Sequence, residues 1–398
     1  MRVLGVLPSI NPVTGGPSKS AVRQLTELAR LGHHVECFTT RWPEFAPGGG
    51  ERVWEQDGLI VREFPATPIW PANHVPYSHA LIAAVRGARG RFDIYHAHSL
   101  WNPLITHAMS LLRRSRSPYA MTCHGMLDPV VFDRHRTLKW CWASLWERRN
   151  VEGASLVHFT SDQERRKAQG RGWRFRRTLV MPNIVKIPGR PAKPPPREQF
   201  ERDHPQLAGK FVITFVGRIN WVKNIHLLVS ALAQLRDDGW DAVLLCIGPD
   251  SDGLQKTLEL QATELGVRQY VVFTGPLDGE ALQAAYARAD VVALVSRKEN
   301  FGLVAAEALS MGVPVVLSDG VDMGKHWVAP PVWRVDQNID SIAGGLVAAL
   351  GYARDAGVPC AAALRLAKEE WGQSPIRRLA DAYEDILAAR RNQNRQHS

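Results

Sequence analysis

The chain has 398 residues, 45% of them hydrophobic and 22% charged, an ordinary globular balance that excludes a wholly disordered protein. Its 49 Lys and Arg against 39 Asp and Glu leave a net charge of +10, which favours anionic partners: nucleic acid, acidic lipid surfaces or phosphorylated substrates. No apolar run approaches the roughly 18 to 20 residues of a membrane span, and the five scattered cysteines form no C-x-x-C pair, so no disulfide framework or zinc site is expected and a reducing, cytoplasmic setting is.

The chain opens with MRVLGVLPSINP, whose apolar run is too short for a signal-peptide core and reads as a first β-strand. Strands are predicted at Arg2–Leu7, Val35–Thr39, Leu59–Phe64, Ile94–Ala97, Tyr119–Thr122, Leu156–Phe159 and Thr178–Met181. Helical patterns lie between several of them, at Ser18–Leu31, Pro103–Arg113 and Arg136–Arg149. This alternation predicts a parallel sheet covered on both faces. Lys186–Lys210 is proline-rich and charged, without sustained periodicity, and reads as an interdomain connection. Strands resume at Phe211–Val216, Ala242–Ile247, Val271–Phe273, Val291–Val295 and Val315–Leu317, and an amphipathic helix over Pro375–Arg391 closes the chain.

The prediction is α/β, with two doubly wound Rossmann-like domains facing a central cleft. Residues 1–186 form the first domain, 187–210 the linker, 211–372 the second domain, and 373–398 a C-terminal helix and tail that packs back on the first. Ligands of such sheets bind beyond the carboxyl ends of the strands, and the cleft between two domains is a natural site.

One segment carries unusual chemistry. SRKENFGLVAAEALSMGVPVV, Ser296–Val316, follows a strand and places Glu299 and Glu307 around seven mostly apolar or small residues. Two glutamates at this spacing are, taken alone, solvated helix surface. The preceding strand and Gly302 change that reading, because the helix predicted from Leu303 leaves free N–H groups near Asn300, Phe301, Gly302 and Leu303, and such groups bind anions. Carboxylates accept hydrogen bonds from neutral hydroxyls, so the two features together suit a nucleotide sugar. FVGRINWVKN, Phe215–Asn224, adds Gly217, Arg218 and Lys223 after a strand of the same sheet, two cations where a leaving diphosphate must be neutralised.

On these motifs, together with GGPSKSAVRQLTELARLGHHV (Gly15–Val35) and HGMLDP (His124–Pro129), the sequence resembles the family-4 retaining glycosyltransferases of the GT-B fold over nearly its whole length. HGMLDP followed by WERRN is similar to members that build bacterial cell-surface polysaccharides, exopolysaccharide or lipopolysaccharide. The resemblance implies a hexosyltransferase that needs no metal and no cofactor, the nucleotide sugar being a substrate. It implies that Glu299 holds the donor sugar, with help from backbone groups of Asn300–Leu303, and that Glu307 grips the ribose. Arg218 and Lys223 would bind the diphosphate, Gly15 and Gly16 would approach it from the first domain, and His124 would sit by the transferred sugar on the acceptor side. Asp128 is expected either to contact the acceptor or to cap a helix. The sequence departs from the family at SDGVDMGKHWVAPPVWRVD, which lacks the usual Gly-x-x-Glu, and at Pro182-Asn183-Ile184, where Pro-Asn-Gly is common.

Two segments bear on partners. RRKAQGRGWRFRR, Arg165–Arg177, has seven basic residues with Trp173 and Phe175 among them, and Arg136–Arg149 sets Leu138, Trp142, Leu145 and Trp146 at helical spacing beside Lys139 and Arg148. Basic residues mixed with aromatics suit peripheral contact with an anionic membrane; a solvated basic face and an ordinary core helix is the plainer alternative. The acceptor is expected to be lipid-linked or a saccharide. A nucleic-acid-binding protein is disfavoured by the lack of a recognition motif, and a dinucleotide-dependent dehydrogenase by the lack of G-x-G-x-x-G after any predicted strand. A sugar phosphorylase remains an alternative.

Overall fold

The structure is a computed structural model that describes residues 1–11, 16–41, 50–67, 77–128, 136–185, 197–250, 252–371 and 375–396. It divides into two compact units, Met1–Ile184 with Ser374–Ser398, and Val185–Gln373.

In the first unit the strands are β1 (Arg2–Val6), β2 (His34–Arg41), β3 (Arg52–Gln56), β4 (Leu59–Pro65), β5 (Ile94–His98), β6 (Tyr119–Thr122), β7 (Leu156–Phe159) and β8 (Thr178–Val180). Their order is β3-β4-β2-β1-β5-β6-β7-β8. All pairs are parallel except the β3–β4 hairpin. β1, β2, β5 and β6 are buried along most of their length, as strands covered on both faces must be. One face packs on the helices His79–Gly87 and Pro103–Arg114 through Leu81, Leu104 and Met109. The other packs on Gly16–Arg30 and on the C-terminal helix Ile376–Gln396, which contributes Ile376, Leu379 and Tyr383.

The second unit holds β9 (Phe211–Val216), β10 (Ala242–Ile247), β11 (Val271–Gly275), β12 (Val291–Leu294), β13 (Val315–Ser318) and β14 (Val332–Val335) in the order β11-β10-β9-β12-β13-β14. All are parallel. The order reverses between β9 and β12 in this unit and between β1 and β5 in the first. At such a point two neighbouring strands send their following connections in opposite directions, which opens a crevice at their carboxyl ends. The sequence puts its chemistry there in both units.

The structure departs from the predicted strands and linker in three places. β3 and β14 were not expected. The segment predicted as an open connection over 187–210 is described from residue 197, and there it is folded. The helix Arg197–Asp203 and a 3-10 turn at Pro205–Leu207 bury Phe200 and Leu207 against the second sheet. Arg288, 1% exposed, anchors them by ion pairs to Glu201 (2.5 Å) and Asp290 (3.1 Å) and a hydrogen bond to the Lys210 carbonyl (2.8 Å). Residues 187–196 and the expected boundary at 372–373 lie outside the described residues.

Candidate active site

In the second unit, β9 ends at Val216 and the chain passes through Gly217 and Arg218 into a 3-10 turn, Trp221–Lys223. Asn220 accepts a hydrogen bond from the Val222 N–H (3.2 Å), which starts that turn. Asn224 then adopts a left-handed conformation (φ 52°) and its amide donates to the Val295 carbonyl (3.2 Å). The loop after β9 is thereby fastened to the end of β12, and the Arg297 N–H adds a bond to the Val222 carbonyl (2.8 Å).

The loop after β12 is held equally firmly. Glu299 forms a parallel bridge with Val321, its N–H donating to Gly320 (2.9 Å) and its carbonyl accepting from Asp322 (2.8 Å). Gly320 is required by this close approach, since a Cβ there would lie 2.3 Å from the Ser296 carbonyl oxygen. Gly302 starts the helix Leu303–Ser310 with φ 71°, a conformation that a side chain would strain, and a Cβ would also meet Leu294 at 2.9 Å. The first N–H groups of this helix have no partner one turn back, as at any helix start.

The Lys223 ammonium and the Glu299 carboxylate, expected to hold different parts of one ligand, form an ion pair with each other. Their side chains are 17% and 25% exposed. Arg218 is exposed and has no partner among the described residues. Glu307, on the fifth residue of its helix, accepts a hydrogen bond from the buried Tyr286 hydroxyl (3.2 Å). Phe301 is 5% exposed and packs edge-on to Trp371, so only its backbone is free to meet a ligand. Gly217 donates its N–H to the Ile247 carbonyl (2.9 Å) and joins the ends of β9 and β10.

Sequence reasoning missed several members of this site. Lys298 pairs with Asp322, which also takes Lys325 at 3.3 Å, and Arg297 lies over the Trp221 ring at 5.5 Å. Asp322 is 5% exposed, in the stretch where the family's Gly-x-x-Glu is absent. Arg334 binds the Val321 carbonyl (2.9 Å) and the Met323 carbonyl, and so supports the same loop from below.

The first unit has its own cluster at the ends of β5 and β6. His124 follows β6 with φ 49°, and the next residue, Gly125, donates its N–H to Glu164 (2.6 Å). Glu164 is 3% exposed and accepts two further bonds from Thr160, at 2.8 and 2.9 Å. This carboxylate, hidden in the sequence ahead of the basic run, clamps the HGMLDP turn. Burial pushes the His124 imidazole down to about 3, with His158 adding to the effect, so the ring is neutral. Its Nε2 lies 3.4 Å from Nδ1 of His98. Asp128 is 5% exposed and pairs with Lys167 at 3.0 Å; the residues that follow it, on which its expected capping role depends, lie outside the described residues. Gly16 begins the first helix and Gly15 lies outside the described residues. Asn183, in the departed Pro-Asn-Gly position, accepts a bond from Ser20 (2.5 Å) and ties that helix to the end of β8.

The basic-aromatic segments divide. Trp173 is 4% exposed and Phe175 packs on the core, so the aromatics of Arg165–Arg177 do not face solvent, although Arg171, Arg174, Arg176 and Arg177 do. Arg165 and Arg166 pair with Asp162. The helix predicted over Arg136–Arg149 is interrupted by a π turn at Ala143–Glu147. That turn sends Glu147 into the core, where it meets Trp142 Nε1 at 3.3 Å, and leaves Trp140 (67%), Leu145 (51%) and Trp146 (43%) exposed. The side chain of Leu138 lies outside the described residues. Among the described residues no helix is long and apolar enough to cross a membrane, and no group of His, Cys, Asp or Glu is arranged to hold a metal ion.

Two largely parallel sheets with polar groups at their switch points, one combining cations, carboxylates and a helix start, are an arrangement suited to phosphorylated, hydroxyl-rich ligands. Residues 15–184 match the model of a glycosyl transferase 4-like domain and residues 196–350 that of glycosyl transferases group 1. The chain is 30% identical over 324 residues to a D-inositol 3-phosphate glycosyltransferase of Nocardia farcinica, covering 77% of this chain and 70% of that protein. It is 38% identical over 341 residues to an uncharacterized glycosyltransferase of Methanocaldococcus jannaschii, covering 80% and 81%. The fold is similar to that of Anabaena HepE, solved with UDP and glucose, at a TM-score of 0.75 and 20% identity over 97% of this chain and 100% of that one. The chain belongs to the family-4 glycosyltransferases of the GT-B fold.

Proposed function

We propose that the chain transfers a hexose from a nucleotide sugar to an acceptor hydroxyl with retention of anomeric configuration and without a metal ion, in the building of a cell-surface polysaccharide. The observation that carries this reading is the Lys223–Glu299 pair joining the loops after β9 and β12, with Arg218 exposed in the first of those loops and the start of the helix Leu303–Ser310 following the second. A diphosphate entering there meets Arg218 and Lys223 and the free N–H groups of the helix. The sugar's hydroxyls bond to Glu299, which shares Lys223 with the phosphate, and the ribose hydroxyls bond to Glu307. The glycosidic C1–O bond to phosphate breaks while the acceptor oxygen bonds to C1 on the same face, and the acceptor proton passes to the leaving phosphate oxygen. The cations stabilise the charge that develops on that oxygen. His124 lies by the transferred sugar, and Asp128 helps set the turn that carries it.

The acceptor is a saccharide or lipid-linked saccharide. Trp140, Leu145 and Trp146, exposed beside Arg148 and Arg149, support contact with an anionic bilayer through the first unit. A panel of nucleotide sugars, screened for slow hydrolysis and for a rise in Tm, tests the donor assignment, and the anomeric proton coupling of the transferred product tests retention. Stabilisation by at least one nucleotide sugar is expected. Response to nicotinamide dinucleotides or DNA alone would overturn the reading, and turnover with free phosphate in place of a nucleotide would turn it into a phosphorylase.

A further inference from the structure

Four histidines converge at the ends of β5, β6 and β7, and three of them were not singled out by the sequence motifs. His96 and His98, two residues apart on β5, face the same side of the sheet and stack with ring centroids 4.2 Å apart. His96 Nδ1 is met by the Tyr383 hydroxyl (2.5 Å) and the Gln24 amide (3.1 Å), its Nε2 by Thr122 Oγ1 (2.7 Å). Thr122 Oγ1 lies 2.9 Å from His158 Nδ1, and His158 Nε2 lies 2.8 Å from the Met181 carbonyl.

This chain has one consistent set of proton positions. Burial keeps both rings neutral, His96 well below its usual range and His158 at about 4, so each carries a single proton. A carbonyl only accepts, so the proton of His158 is on Nε2. Its Nδ1 must then accept from Thr122, whose oxygen accepts from His96 Nε2–H, and His96 Nδ1 accepts from Tyr383 and Gln24. A ring whose partners are all fixed in this way is a rigid platform, and His98 lies on it.

His98 is 2% exposed; its Nδ1 faces His124 Nε2 at 3.4 Å, and its Nε2 is buried with no partner among the described residues. The charged or titratable groups that act on it are His96, His124 and His158, all neutral. An orphaned buried N–H is rarer and costlier than an orphaned lone pair. The proton of His98 is therefore on Nδ1, and it donates to His124 Nε2. His124, neutral and partly exposed, must then carry its own proton on Nδ1, which has no partner among the described residues.

We propose that His98 is a positioning residue that fixes the tautomer of His124, so that His124 presents an N–H donor, and not a basic nitrogen, to an oxygen of the bound substrate. In the proposed glycosyl transfer, on which this inference rests for its ligand, that oxygen is a hydroxyl of the donor sugar or of the acceptor. His124 then orients the substrate, and the acceptor's proton leaves by the phosphate route described above. The backbone supports this fixed aim, because Glu164 clamps the turn that carries His124.

Long-range proton–nitrogen NMR correlations on the full-length protein labelled at histidine read the tautomer without any substrate. The expected result is Nδ1–H for His124 and Nε2–H for His158. Nε2–H at His124 overturns the inference while leaving the glycosyl-transfer reading intact, and an inert His124→Ala substitution would fault that reading's use of His124 instead. Kinetics add a test that a structural role alone would not pass. Asparagine places an amide N–H where His98 has Nδ1, whereas glutamine places it nearer Nε2. His98→Gln should lower kcat by about tenfold with little change in the donor's KM, and His98→Asn should stay within about threefold of wild type. Equal losses in the two variants, both folded by thermal melting, would overturn the assignment.

Discussion

Replacing Lys223 with Ala removes the cation that Glu299 faces, and the size of the effect follows from the pair's surroundings. With side chains 17% and 25% exposed, the pair is neither deeply buried nor freely solvated. A hydrogen bond to a charged group contributes roughly 1.5–3 kcal/mol net, so loss of Lys223 should lower kcat/KM by about 10- to 150-fold. Because the ammonium and the carboxylate pair with each other and are proposed to act on the donor together, the losses should not multiply. The Lys223→Ala/Glu299→Gln double variant should retain about 1 kcal/mol or more relative to the sum of the single variants, the usual coupling for residues in direct contact. Initial rates of nucleoside diphosphate release at sub-saturating donor, with melts to verify folding, provide the cycle. Full activity in Lys223→Ala, or single losses that multiply to the double within error, would refute the paired arrangement.

Arg218→Ala should cost at least about tenfold in kcat/KM while leaving stability within about 0.5 kcal/mol, because the exposed side chain has no polar partner among the described residues; urea melts and rates at low donor test both parts. Glu164→Gln should destabilise by about 1–3 kcal/mol in chemical denaturation, since Gly125 and Thr160 lose a buried charged acceptor. His158, depressed to about 4 when folded, gives stability that is complete above its unfolded value near pH 6.5 and is lost as pH falls through about 4. The His158 contribution to the unfolding free energy should therefore fall by about 1.2 kcal/mol between pH 6 and 5, and a flat profile there would contradict a buried neutral ring. Sedimentation with phosphatidylglycerol vesicles should weaken when Trp140, Leu145 and Trp146 become Ser, and also when Arg174, Arg176 and Arg177 become Gln, each cation near the surface contributing about 1 kcal/mol; binding unchanged by either set rejects the membrane contact.

The parts of this structure that the sequence made legible are those set by local pattern. Buried parallel strands such as Phe211–Val216 and Tyr119–Thr122 are continuous apolar runs bounded by polar turns, and their ends are visible in one dimension. The Glu299–Glu307 spacing and Gly302 likewise mark a strand, a tight turn and a helix. β3 was not legible, because RVWEQ is exposed on the hairpin's outer edge and has no apolar signature. The fold of 197–210 was hidden because prolines and charges dominate its composition, while its anchor, Arg288, lies some eighty residues further along. Pairing was the least legible feature. Lys223 and Glu299 are 76 residues apart, and only the β9–β12 register brings them together. The spacing His96-Ala97-His98 did carry a signal, since alternate residues of a strand share a face, but its meaning depends on Thr122, His158 and Tyr383 arriving from three other elements.

The most direct measurement of the donor site is calorimetric titration of the nucleoside diphosphate product into the wild-type, Glu299→Gln and Glu307→Gln proteins, read with the steady-state kinetics of each. In the proposed donor placement Glu307 faces the part of the nucleotide remote from the bond that breaks, so Glu307→Gln should weaken diphosphate binding and raise the donor's KM. In the same proposed placement Glu299 faces the sugar, so Glu299→Gln should bind the diphosphate nearly as wild type and lose kcat, because contacts that strengthen in the transition state govern the chemical step. A Glu307→Gln protein that binds the nucleotide normally, or a Glu299→Gln protein with full kcat, would contradict the placement of the donor between the ends of β9 and β12.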